Sequence, residues 1–250
     1  MNPDLDLLES ISNDLIEALR PLKFGPPISH VYNPLEYAGE SLKQYHAKFA
    51  STPKEVLFLG MNPGPWGMAQ TGIPFGEIQA VRDWMKIQAP VDAPKKTHPK
   101  RPVLGFACTK SEVSGQRLWG WARKRFRTPE RFFRHFFVAN YCPLIFIESS
   151  GRNRTPDQIR VAERKPLLEI CDRALSRTIA YFQPRYVVGV GKFAEKRART
   201  ALNQHKVKIG MVAHPSPANP QANRGWEPLI EKQLAELGLK IGSKVTGFGL

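Results

Sequence analysis

Leu8, Ile11, Leu15 and Leu19 recur three and four residues apart. That spacing lines one face of an amphipathic helix over residues 4–19. Pro21, Pro26 and Pro27 end it, and residues 28–50 read as a mixed connector with a helix near 36–49. Four apolar runs follow, at 56–60, 136–141, 186–190 and 207–213. Each is short and closed by Gly, Asn or His, which predicts buried strands. Helical patterns lie between and after them, at 76–87, 114–126, 129–135, 155–182, 192–203 and 226–237. Thr155 as N-cap with Pro156 at the first helical position predicts where the longest begins. Strands alternating with helices imply an α/β fold, a parallel sheet covered on both faces. We read one domain over residues 1–250, with 1–27 an N-terminal helical segment and 238–250 a loose tail.

In such a sheet, ligands bind outside the carboxyl ends of the strands. Three strand ends deliver polar side chains there: Asn62 after the first, Asn140 in the second and His214 after the fourth. Asn62 opens Asn62-Pro63-Gly64-Pro65, a string that by itself is only a tight turn. The loop over 61–75 is long and rich in Gly and Pro, the kind that in compact domains is functional or disordered.

The formal net charge of +15 is concentrated. Residues 95–134 hold twelve Lys and Arg, Lys124 and Arg125 among them, against Glu112 and Glu130, a local excess of +10. Phe106, Trp119, Trp121 and Phe126 are interleaved. A polyanion such as nucleic acid fits this stripe, and so does a solvated basic face with core aromatics. Cys108, Cys142 and Cys171 are an odd, widely spaced set with no CxxC, so packing is their expected role and no metal site is expected. No apolar run approaches the roughly 20 residues of a membrane span, and the acidic N-terminus does not read as a signal peptide. The expectation is a monomer of the cytoplasm, associated with the nucleoid in a bacterium or in the nucleus of a eukaryote, with no membrane partner.

Gly60-Met61-Asn62-Pro63-Gly64-Pro65-Trp66-Gly67-Met68-Ala69-Gln70-Thr71-Gly72-Ile73-Pro74-Phe75-Gly76-Glu77 resembles the first motif of the single-strand-selective monofunctional uracil-DNA glycosylases. Asn140-Tyr141-Cys142-Pro143-Leu144 is similar to their central motif. The run His214-Pro215-Ser216-Pro217-Ala218-Asn219-Pro220-Gln221-Ala222-Asn223-Arg224-Gly225-Trp226 is similar to their last. Order and spacing agree from about residue 28 to 235. The resemblance implies a uracil-DNA glycosylase-like three-layer sandwich, a short central parallel four-stranded sheet flanked by helices. It implies no metal and no cofactor, and DNA containing uracil or related bases as the partner.

It also implies roles. Phe75 stacks on a base flipped out of the helix. Asn140 reads the pyrimidine edge, accepting from N3–H and donating to O4. His214 donates to O2 as negative charge develops there, with the backbone at Met61 contributing. Asn62 positions the attacking water. Gly64 stands where related enzymes carry a bulky aromatic, which implies room beside C5 and acceptance of 5-hydroxymethyluracil and xanthine. Pro215, Ser216, Pro217, Ala218, Asn219, Gln221 and Arg224 form a stiff DNA-contacting loop, with Lys124 and Arg125 on the backbone. Family members often carry a basic residue at the position of Ala218, so Asn219, Gln221 or Arg224 takes its place or strand penetration is weaker. The motifs hold no lysine for a Schiff base, so no lyase activity is expected.

Three other readings compete: a non-catalytic nucleic-acid-binding module, a nucleotide enzyme using Gly189-Val190-Gly191-Lys192, and a glycosylase with Glu77 as base. The second lacks a full phosphate-loop motif. Glu77 also fits as an acid at a helix N-terminus.

Overall fold

A computed structural model describes residues 3–239 of the chain. The chain runs α1 (Pro3–Leu19), β1 (Ile28–Tyr32), α2 (Pro34–Tyr37), α3 (Gly39–Phe49), β2 (Val56–Gly60) and α4 (Met68–Thr71). It continues through α5 (Val113–Phe126), α6 (Pro129–Phe133), β3 (Phe136–Asn140), β4 (Ile145–Glu148), β5 (Asn153–Arg154) and α7 (Val161–Phe182). It closes with β6 (Tyr186–Val190), α8 (Lys192–Ala201), β7 (Lys208–Val212), α9 (Pro220–Asn223) and α10 (Trp226–Glu236).

The four expected strands form one parallel sheet in the order β3-β2-β6-β7. β2 and β6 lie inside it and are buried at every residue, which is why they read as unbroken apolar runs. β7 is an edge and alternates, with Lys208 exposed. Successive phenylalanines of β3 serve opposite faces. Phe136 stacks on Phe58 and meets Phe126 of α5. Phe137 packs on Phe182 of α7 and Tyr45 of α3. Helices therefore cover both faces, and α1 packs along α7 outside them.

A second sheet, β1-β4-β5, is antiparallel and was not expected from the sequence. β1 lies in the segment read as a connector; its pairing slips between Ile28 and His30, which breaks the alternation a sequence pattern depends on. The helix expected from Thr155 is also divided. A single 3-10 turn spans Pro156–Gln158, Ile159 is extended, and α7 begins at Val161. The helix expected over 76–87 is shorter, ending in a wide turn at Ala80–Trp84 before Lys86 at φ 55°. Of the expected tail, residues 240–250 lie outside the described residues.

Candidate active site

Register assembles the site. Gly60, the last residue of β2, is paired with Asn140, the last of β3. The ladder continues past both, Tyr141 N–H donating to Gly60 O and Cys142 N–H to Met61 O, each at 2.9 Å. A β-carbon on Gly60 would strike Oδ1 of Asn140 and come within 3.1 Å of Cζ of Phe75. The missing side chain is what lets the Asn140 amide and the Phe75 ring share one floor. Nδ2 of Asn140 donates to Sδ of Met68 at 3.1 Å.

Phe75 holds φ at 53°, in the left-handed region, which costs a non-glycine residue roughly 1–2 kcal/mol. Its carbonyl is clamped, accepting from Glu77 N–H at 2.7 Å and from Trp119 Nε1–H at 2.9 Å. The backbone is bent so that a large ring is aimed at the strand ends. That ring lies 6.0 Å from the His214 ring, centroid to centroid, tilted 40°.

His214 lies two residues after β7, with Ala213 between them. Its Nδ1 accepts the Ser216 N–H at 3.1 Å, which leaves the proton of the neutral ring on Nε2. Burial pushes its pKa down to about 4, so the ring is neutral at pH 7. Ala213 is fastened on both sides, its N–H to Oε1 of Gln233 and its carbonyl to Trp226 Nε1–H. Asn62 donates from Nδ2 to the Leu144 carbonyl at 3.2 Å, and its Oδ1 makes no hydrogen bond among the described residues. An amide fixed in that way presents an acceptor of negligible basicity, suited to orienting a water molecule.

Gly64 is not beside empty space. A β-carbon there would lie 2.6 Å from Cδ of Glu112, whose Oε2 accepts Trp66 N–H at 3.2 Å. Burial raises the Glu112 pKa, opposed by that hydrogen bond and by Arg101. The room expected at Gly64 is on this side filled by a carboxylate.

In the last loop Pro217, Ala218, Gln221 and Arg224 are exposed, whereas Pro215 is buried. Asn219 is spent internally. Its Oδ1 caps α9 through Gln221 N–H, and its Nδ2 donates to the His214 carbonyl at 3.0 Å. Of the three residues considered as replacements for a basic residue at Ala218, Gln221 and Arg224 are available and Asn219 is not.

The basic stripe divides. α5 runs antiparallel to the strands, with Trp119 near Phe75 and Phe126 against Phe136 at the start of β3. Lys124 and Arg125, expected on DNA, are not gathered with the cleft. They lie about 10 Å further along the helix than Arg117 and pair with Glu227 and Glu231 of α10. Glu77 is 4% exposed with both oxygens engaged, Oε2 by Ala80 N–H and Oε1 by Ser111. Both oxygens are thus committed as those of an acid at a helix start. Gly189-Val190-Gly191-Lys192 is the turn from β6 into α8, with Gly191 at φ 94° against His214. Local sequence did not single out Glu112, Met68 or the Leu144 carbonyl, since each acts through contacts between distant segments.

Comparison with known proteins gives the following. A family model described as "Uracil DNA glycosylase superfamily" matches residues 47–237. The chain is 52% identical over 227 residues to the single-strand selective monofunctional uracil DNA glycosylase of Bos taurus, covering 90% of this chain and 84% of that one. It is 52% identical over 223 residues to the protein of the same name from Mus musculus, covering 88% and 80%. A crystal structure of wild-type Pedobacter heparinus SMUG2 superposes with a TM-score of 0.66 at 20% identity, covering 91% of this chain and 97% of that one. This last likeness shows the fold.

Proposed function

The chain belongs to the uracil DNA glycosylase superfamily and, within it, to the single-strand selective monofunctional group, and from that premise we propose that it releases uracil from DNA by base flipping and dissociative hydrolysis of the N-glycosidic bond. The observation that carries this reading is the meeting of Phe75, Asn140 and His214 at the strand ends, with Asn62 leading the loop beside them.

In this reading the flipped uracil stacks on Phe75 and is held at its N3 and O4 edge by Asn140. Cytosine inverts both groups, and each mispaired buried group costs roughly 1–3 kcal/mol. As the C1′–N bond breaks, electrons move to the base and positive charge to the sugar. Nε2–H of neutral His214 donates to O2, lowering the cost of that charge, and Met61 N–H adds a second donor. Asn62 Oδ1 orients a water whose oxygen bonds to C1′; its proton leaves with the base or to solvent. The sugar cation is reactive enough for neutral water, so Asn62 needs no basicity. No covalent enzyme–DNA intermediate forms, in keeping with the absence of lysine from the three motifs.

We extend the proposal to 5-hydroxymethyluracil and xanthine, in single- and double-stranded DNA, on the strength of the family resemblance alone, since Glu112 fills the space beside Gly64. Gln221 and Arg224 would face the strand gap left by the base.

The test uses a single-stranded oligonucleotide with one uracil, alkali cleavage at abasic sites, and wild type beside Asn62→Ala and His214→Ala. Loss of one oxyanion donor costs on the order of 10²–10³ in rate. His214→Ala should lose about that much, and Asn62→Ala a large factor through lost positioning of the water, with both still binding DNA. Failure of wild type to release uracil, and 5-hydroxymethyluracil or xanthine placed at the same position of matched oligonucleotides, would leave a DNA-binding scaffold.

A further inference from the structure

We propose that Arg117 is a positioning residue for this reaction, acting through the His214 loop rather than on a DNA phosphate; the proposal rests on the glycosylase reading above. Arg117 lies in the basic stripe, where sequence alone groups it with phosphate contacts. In the structure its guanidinium is committed elsewhere. Nη1 donates to the Pro215 carbonyl and Nη2 to Oδ1 of Asn223, each at 2.9 Å. One planar fork thus joins α5 to both ends of the exposed loop.

The tie reaches His214 through a closed set of bonds. Asn223 Nδ2 donates to the Pro217 carbonyl at 2.8 Å, and Asn223 N–H to the Asn219 carbonyl at 3.3 Å. Asn219 returns to His214 O through Nδ2 and to Ser216 O through its N–H. Ser216 N–H holds His214 Nδ1. Pro215, whose carbonyl Arg117 takes, is the next residue after His214. Two residues along α5, Trp119 clamps Phe75. The helix therefore sets the spacing between the two rings that face the base, and Arg117 is its hold on the histidine side. A lysine cannot replace it, because a single ammonium cannot span a carbonyl and an amide oxygen in fork geometry.

Three variants test this: Arg117→Ala, Arg117→Lys and Asn223→Ala, the last removing the Asn223 arm of the fork with no charge removed. Single-turnover cleavage, DNA affinity across a salt series and amide hydrogen exchange of residues 214–225 are measured for each. Loss of positioning predicts an approximately tenfold or greater fall in the cleavage rate for all three. It predicts faster exchange in the loop, an unchanged salt slope, and partial recovery of Arg117→Ala in added guanidinium. The Arg117→Ala/Asn223→Ala double variant should be no slower than the worse single one. A cleavage rate near wild type with the magnitude of the salt slope reduced by about 0.7–1 would make Arg117 a phosphate contact and overturn the proposal. So would unchanged rate and unchanged exchange. An inactive wild type with the loop still loosened in Arg117→Ala would overturn the glycosylase reading instead, and with it a catalytic purpose for the tie.

Discussion

Ser216 N–H donates to Nδ1 of His214 at 3.1 Å, so one backbone bond decides which nitrogen of the catalytic candidate carries its proton. Protonation would place a second N–H against that donor and charge a buried ring. With a folded pKa of about 4 against 6.5 for an ordinary histidine, the unfolded chain binds the extra proton between those values. The stability contributed is fully present above about pH 6.5 and is lost as pH falls through 4. Its size is on the order of 3 kcal/mol. Urea midpoints at pH 7 and pH 4 should therefore fall further for wild type than for His214→Asn. Equal falls would show that the ring is not held neutral. His46, also pushed to about 4 by burial, contributes equally to both proteins and cancels in the comparison.

Gly64 and Glu112 should behave as a coupled pair. Gly64→Ala forces a methyl into the Glu112 carboxyl group, an overpacking that costs roughly 1–3 kcal/mol. Removing the carboxylate first opens the space, so Gly64→Ala in a Glu112→Ala background should cost clearly less. Denaturant melts of the four proteins give the coupling directly. Strict additivity would mean the loop moves away from Glu112 without cost.

Phe75 carries a second separable effect. Phe75→Ala and Phe75→Gly both remove the stacking face, worth about 1–3 kcal/mol per base, and should weaken capture of a uracil-containing strand alike. Only glycine also removes the left-handed strain at φ 53°, so Phe75→Gly should melt later than Phe75→Ala. A thermal scan and a binding titration on the same two proteins check both halves.

Lys124 and Arg125 should matter little to DNA, being paired with Glu227 and Glu231 on α10. Arg224 is exposed in the last loop. Arg224→Ala should lower the magnitude of the salt slope by about 0.7–1, and Lys124→Ala by clearly less. The reverse order would place the DNA path along α5.

The central sheet was legible because β2 and β6 are buried on both faces, and such strands must be apolar at every position. The segment from Ile28 to Tyr32 was not, because its polar Ser29 and His30 fall at a register slip and its partner β4 lies more than a hundred residues away. Asn62, Asn140 and His214 could be seen as strand-end residues, and Phe75 through the motif that contains it. Arg117 could not be separated from Lys124, since composition counts charges and says nothing of what each one touches. Glu112 faces Gly64 across 48 positions of chain, a contact no local pattern encodes.

The sheet order β3-β2-β6-β7 puts His214 two residues beyond the edge strand β7, which among the described residues is also the last strand to be synthesised. A ribosome-bound chain that has exposed β2 and β3 can already pair Gly60 with Asn140 and shape a seat for a base. On the proposed mechanism it lacks the His214 donor to that base until β7 and the residues after it are added. Base release at the full rate would then report that β7 has docked, so turnover itself can be used as a clock for the completion of the sheet.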